Sequence, residues 1–92
     1  MILIEKSIGA ENTFATAAEV QAGMFNLSLS GTWVATVYVQ RSFDQGENWL
    51  DVDSFTANGE YVGIEPEGKV YYRFGVKTGG YTSGTVVGRL SQ

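Results

Sequence analysis

The stretch Val37–Phe55, VYVQRSFDQGENWLDVDSF, contains two strand patterns separated by a short run of turn residues. On its N-terminal side, Val34–Phe43 alternates apolar and polar residues with a period of two, which is typical of a half-buried β-strand. On its C-terminal side, Trp49–Thr56 predicts the return strand. Asp44 and Gly46 favour a tight turn, because aspartate accepts backbone hydrogen bonds and glycine tolerates a positive φ. The stretch therefore predicts a β-hairpin.

Strand and turn signals recur along the rest of the chain at intervals of roughly 8–12 residues. We expect further strands at Ile2–Lys6 (an edge strand), Phe25–Leu29, Tyr61–Glu65, Val70–Val76 and Thr85–Leu90. We expect turns or loops at Ser30–Trp33, Ala57–Glu60 and Thr78–Gly84, and irregular or weakly extended chain over Ser7–Gln21. This spacing of short strands and glycine-rich turns is the pattern of a sandwich or small barrel.

The sequence therefore predicts one all-β domain spanning residues 1–92. We expect a small antiparallel β-sandwich of about six to eight strands, either immunoglobulin-like or jelly-roll-like. The run Ile64–Val76 resembles the corner that leads into the sixth strand of immunoglobulin-like sandwiches. That family places a tyrosine four residues after the proline, where this chain has Val70, so both topologies stay open. The predicted core contains Val37, Val39, Trp49, Tyr72, Phe74 and Val76.

In the return strand, the side-chain alternation conflicts with placing Trp49 in the core. Strict alternation from Trp49 puts Asp51 and Asp53 on the face of the tryptophan, and Leu50 and Val52 on the other. A β-bulge near Leu50 or Asp51 would move Val52 to the face of Trp49, and bulges are common beside such hairpins.

Composition excludes several classes of function. The net charge is −4 and the six basic residues are scattered, so neither nucleic acid nor an acidic membrane is an expected partner. The chain has no cysteine and no histidine, which removes thiolate and imidazole ligands and the usual general base. We expect no enzyme activity, no catalytic residue, no cofactor and no metal.

Ser42, Asp44, Gly46 and Trp49 fit the pattern S-x-D-x-G-x-x-W, which resembles the Asp-box repeat of sialidases. A sialidase propeller needs several blades of roughly 40–50 residues each, so a chain of this length cannot be one. In sialidases the box resembles a structural hairpin away from the catalytic centre. We therefore interpret the four residues as a structural turn.

Two groups of carboxylates offer alternatives to a purely structural role. Asp44, Asp51 and Asp53 could supply oxygen ligands to calcium, although their spacing matches no calcium loop. Glu65 and Glu67 flank Pro66 and could form a glycosidase pair, but one short loop makes a poor cleft.

Outward-facing aromatic residues indicate binding rather than catalysis. Trp33, Tyr38, Tyr61, Tyr71 and Tyr81 are expected outside the core or on loops, where aromatic rings stack on sugars or anchor a protein partner. An apolar edge strand at the N-terminus favours assembly. The predicted interaction surface, used for self-association or for attachment to other subunits, consists of Ile2, Ile4, Trp33 and Tyr81.

From Gly31 to Gln92, about two thirds of the chain, the sequence resembles small β-proteins among the virion genes of tailed bacteriophages. The shared features are V-x-V-Q-R-S-F-D-x-G-x-x-W, then E-P-E, then Y-R-x-G-V-K-T-G-x-Y-T-S-G-T-V and a terminal R-L-S-Q. The resemblance implies a capsid decoration (cement) protein or a head–tail component, made in the host cytoplasm and bound to other virion proteins. The alternative is a carbohydrate- or cell-surface-binding module.

Overall fold

The structure, a computed structural model, describes residues 2–92 and confirms the all-β sandwich. In this range the chain forms two antiparallel sheets and no helix. The strands are β1 (Leu3–Ile8), β2 (Thr13–Phe14), β3 (Ala18–Val20), β4 (Gly23–Ala35), β5 (Val37–Ser42), β6 (Leu50–Phe55), β7 (Gly59–Glu65), β8 (Val70–Val76) and β9 (Tyr81–Ser91). No part of the described chain is a helix long and apolar enough to cross a membrane.

The strand pairs are nested one within another. In the first sheet, ordered β1-β9-β4-β7, β1 pairs with β9 and β4 pairs with β7. In the second, ordered β2-β8-β5-β6, β2 and β3 pair one after the other with β8, and β5 pairs with β6. The chain is thus one long hairpin rolled into two sheets, which is the jelly-roll order. This order decides between the two topologies that the sequence leaves open.

The hydrophobic core lies between the two sheets. Five of the six predicted core residues are buried, and Trp49 is the exception discussed below. Phe74 of the second sheet lies against Gly88 of the first, where a Cβ would overlap the phenyl ring. The sheets therefore approach closely at this point because β9 carries no side chain there.

The prediction of a turn at Ser30–Trp33 is wrong, because β4 runs through it without interruption. Gly31 has a φ of 98° and a Cβ there would overlap the carbonyl oxygen of Thr85 on β9. The glycine permits a close approach between neighbouring strands rather than a reversal of the chain. The real break comes at Thr36, where the chain leaves one sheet for the other and divides the predicted strand Val34–Phe43.

Two other boundaries differ from the prediction. The expected loop Thr78–Gly84 is shorter, because β9 begins at Tyr81. The segment Ser7–Gln21 contains the end of β1 and the short strands β2 and β3, so it is extended chain with interruptions. Val20 is buried in the core, whereas Phe14 is half-buried.

Candidate interaction surface

The residues of the Asp-box pattern form a hydrogen-bonded turn between β5 and β6. The buried hydroxyl of Ser42 donates to Asp44 Oδ1 at 2.6 Å and accepts from the backbone N–H of Gly46 at 2.8 Å. The Asp44 carboxylate also accepts from the backbone N–H and the side-chain Nδ2 of Asn48, at 2.9 and 2.7 Å. Gly46 has a φ of 93°, the left-handed conformation that favours glycine.

The donors to the Asp44 carboxylate all belong to the same turn. Donation from Ser42 and Asn48 stabilises the ionised form and lowers the pKa of Asp44 to about 2. Asn48, which supplies two of the donors, lies outside the S-x-D-x-G-x-x-W pattern and was missed in the sequence. Its position four residues after Asp44, inside a tight turn, is the signal that could have found it.

The prediction that Trp49 belongs to the core is wrong. The register of β5 with β6 shifts between Val39 and Gln40, so Asp53 lies opposite Val39 and Asp51 lies opposite Gln40. A bulge is therefore present, at Val52, and it leaves Asp51 and Trp49 together on the outer face of the second sheet.

On that outer face, Trp49 packs over a guanidinium group. Arg73 lies between two rings, 4.3 Å from the ring centroid of Trp49 and 4.0 Å from that of Phe14. Its Nε donates to Gln40 Oε1 at 2.9 Å, and burial between the rings lowers the pKa of Arg73. The tryptophan therefore covers one face of a positioned arginine and does not contribute to the core between the sheets.

The three aspartates proposed as calcium ligands do not converge. Asp51 pairs with Lys77 and accepts a hydrogen bond from Gln40, and both contacts lower its pKa. Asp53 faces the other side of β6, opposite Val39. Across residues 2–92, no three His, Cys, Asp or Glu side chains are grouped so that they could hold a metal ion.

Glu65 is a buried structural carboxylate. Its Oε1 accepts from the Tyr72 hydroxyl at 2.6 Å and from Arg41 Nη1 at 3.2 Å, and its Oε2 accepts from the backbone N–H of Glu67 at 2.8 Å. Burial opposes ionisation of Glu65, but these three donors outweigh it and lower the pKa. Burial, together with the Glu65 carboxylate, raises the pKa of Tyr72 to about 12.

Glu65 and Glu67 therefore do not face each other across a cleft. The Glu67 contribution to this network is its backbone N–H, and its side chain is exposed. A glycosidase needs two carboxyl groups on either side of a bound sugar. The structure does not provide that arrangement at Pro66.

The four residues of the predicted interaction surface do not share one surface. Ile4 is 6% exposed and faces the core, so it is not available to a partner. It pairs with Leu90 near the end of β9, whereas Trp33 pairs with Gly84 near the start. Six residues of strand separate the two positions, which is roughly 20 Å.

The other three residues are partly accessible. Ile2 is half-buried and exchanges two backbone hydrogen bonds with Gln92, each of 3.0 Å. The Tyr81 hydroxyl donates to the carbonyl oxygen of Gly84 at 2.9 Å. All three pack against the margin of the core, which the sequence alternation did not indicate.

Trp33 lines an open cleft of about 330 Å³ at one end of the sandwich. The walls are formed by Trp33, Val34, Ala35, Thr36, Thr56, Gly79, Gly80 and Thr82. The indole Nε1 donates to Asn58 Oδ1 at 2.6 Å, and Asn58 Nδ2 donates to the carbonyl oxygen of Gly31 at 2.8 Å. The ring is therefore held in place by the turn between β6 and β7.

Three exposed apolar side chains lie together on the outer face of the first sheet. Met24, Val62 and Ile64 are 63%, 61% and 67% exposed, and we call these three residues the β7 patch. Met24 is the direct cross-strand partner of Ile64, and Val62 is two residues away on the same face of β7. Sequence reasoning missed the patch, although the V-x-I alternation in Tyr61–Glu65 was visible.

No family model, no curated protein and no solved structure matches this chain.

Proposed function

We propose that this chain is a non-enzymatic structural protein of a bacteriophage virion, with capsid decoration as its first candidate role and a head–tail component as its second. In this proposal it binds neighbouring virion subunits through the β7 patch, at the β7 edge of the outer face of its first sheet. The resemblance of Gly31–Gln92 to small virion proteins supports this class of function. The observation that carries the proposal is the β7 patch.

The β7 patch supports a protein partner for an energetic reason. Three large apolar side chains, each more than half exposed, lie side by side on two paired strands. Scattered exposed apolar residues are normal on a protein surface, but adjacent ones of this size favour an interface. Covering them with another subunit would remove their apolar area from water, at about 25 cal/mol per Å².

The jelly-roll architecture is compatible with this role without deciding it. Jelly rolls build both viral capsid domains and lectin domains, so the fold suits both functional hypotheses. Function follows from the surface rather than from the fold.

Mass spectrometry of purified virions tests the proposal directly. We expect the chain to be present in a fixed copy number relative to the capsid subunit. Purified chain should also bind capsids from which decoration proteins have been stripped. Ile64→Lys should abolish this binding, whereas Val87→Lys should preserve it. Val87 is the matched control because it is exposed on the outer face of the same sheet, at its centre.

The second candidate is a carbohydrate-binding module, and the cleft beside Trp33 favours it. An indole held by Asn58 at the wall of an open cleft is suited to stacking on a sugar ring. A glycan array distinguishes the two candidates. Binding of a glycan that Trp33→Ala removes, together with no binding to capsids, would replace the structural proposal with this one.

A further inference from the structure

The four outer strand edges of the sandwich differ in how they are protected. Exposed edges usually carry charges, bulges or interruptions that prevent pairing with another strand. β1 carries Glu5 and Lys6 in its middle. The edge formed by β2 and β3 is interrupted between Phe14 and Ala18. β6 carries two aspartates and the bulge at Val52.

The central residues of β7 have no charge, no bulge and no interruption that would prevent pairing with another strand. Tyr61–Ile64 contains no charge, no proline and no register shift. Its two acidic residues stand at the ends, and both are engaged within the chain. Glu60 accepts from the Ser28 hydroxyl at 2.6 Å, and Glu65 is the buried carboxylate described above. One side of β7 pairs with β4, and the other is the free edge of the sheet.

The sequence of β7 is self-complementary in one antiparallel register. A two-fold axis at Gly63 places Val62 opposite Ile64 of the second copy, and Ile64 opposite its Val62. Glu60 then falls opposite Pro66, so no two carboxylates face each other. A two-fold interface requires each residue to suit its counterpart in this reciprocal way.

We propose that β7 pairs antiparallel with β7 of a second copy of this chain, about a two-fold axis at Gly63. The pairing joins the two first sheets into one continuous sheet. It also brings both β7 patches together on one face, with Met24 of each copy flanking the central Val62–Ile64 pairs. The inference deepens the proposed function by naming the partner of the β7 edge, and the two can be tested separately.

Sedimentation equilibrium of the purified chain is the first test. We expect a species of twice the 10.0 kDa mass of one chain. Ile64→Lys should raise the dimer dissociation constant by roughly 10-fold, because the change removes both Val62–Ile64 cross-strand pairs and places two lysines near each other across the axis. Val87→Lys should leave the constant unchanged. Circular dichroism and urea unfolding establish that both variants are folded. A strictly monomeric parent would overturn the proposal.

The absence of native cysteine allows a second test that reads the register. Val62→Cys and Ile64→Cys are prepared separately, mixed and oxidised. Directly opposite side chains have Cβ atoms about 4.5–5.5 Å apart, whereas diagonal neighbours are about 7–8 Å apart and beyond disulfide reach. We expect the mixed disulfide to form roughly ten times faster than either homodisulfide. Equal rates for all three products would show that the register is wrong.

A failure of this inference is distinguishable from a failure of the proposed function. If the chain is monomeric but binds stripped capsids, the β7 edge is occupied by a capsid subunit and the second-copy proposal is wrong. If the chain dimerises through Val62 and Ile64 but is missing from virions, the dimer stands and the virion role is wrong.

Discussion

Replacing Glu65 with glutamine tests the hydrogen-bond network at the end of β7. In the parent chain, the two carboxylate oxygens of Glu65 accept hydrogen bonds from Tyr72, Arg41 and the backbone N–H of Glu67. The substitution removes the negative charge and leaves a single carbonyl oxygen as the acceptor. The Tyr72 hydroxyl is buried, and a hydrogen bond to a charged group contributes about 1.5–3 kcal/mol. The Arg41 side chain is 33% exposed, so solvent screens its ion pair and we assign it less than about 1 kcal/mol. We expect Glu65→Gln to lower the free energy of unfolding by about 2–4 kcal/mol.

Urea unfolding at pH 7 measures this loss. Tyr72→Phe should lose about 1.5–3 kcal/mol, and the double variant should lose less than the sum, because both single changes break the same hydrogen bond. Glu67→Gln is the control and should stay within about 0.5 kcal/mol, since its side chain is exposed. A loss below about 1 kcal/mol for Glu65→Gln would refute the reasoning, because the carboxylate would then contribute no more than a surface ion pair.

Other predictions concern the turn, the outer face and the contact between the sheets. Trp49→Ala should cost about 1–2 kcal/mol in urea unfolding, less than a core truncation, because the ring covers Arg73 outside the core; a loss above about 3 kcal/mol would place it in the core after all. Gly88→Val should cost about 1–3 kcal/mol or more by thermal unfolding, because its side chain would overlap Phe74. A melting temperature equal to that of the parent would contradict the close approach of the sheets. The pKa of Asp44 is lowered on folding, so its stabilisation is complete above about pH 4 and is lost as the pH falls towards about 2. Asp44→Asn should therefore flatten this acid limb in pH-dependent unfolding, and an unchanged limb would assign the loss to other carboxylates.

Local chemistry explains which elements could be predicted from the sequence. The turn after β5 follows from Ser42, Asp44 and Gly46, whose hydrogen bonds and positive φ are properties of a few neighbouring residues. The strand β8 follows from the alternation of its apolar residues, since one of its faces packs against the first sheet. These features need no knowledge of distant partners.

Features that depend on distant strands could not be predicted in the same way. In the sequence Gly31 indicates a turn, but its role is set by Thr85, which is far away in the sequence. The face of Trp49 depends on a register shift between β5 and β6 that no local pattern positions. The jelly-roll order depends on the pairing of β1 with β9, which joins the two ends of the chain. Composition and spacing therefore allowed two sandwich topologies and left the choice to non-local contacts.

The location of the proposed interaction surface depends on one glycine. Three adjacent apolar residues, Ile2–Ile4, predict an interacting edge strand at the N-terminus. In the structure, however, Ile4 faces the core, and the charged residues Glu5 and Lys6 follow it in β1. In β7, Gly63 faces inward beside its cross-strand partner Phe25, whose ring occupies the space where a Cβ would lie, so only glycine fits there. Val62 and Ile64 are then forced outward. A strand that turns its smallest residue to the core and its β-branched residues to the outside suits a sheet whose outer face another protein covers. This arrangement of side chains is the physical reason for proposing that a partner binds at β7 rather than at the N-terminal strand.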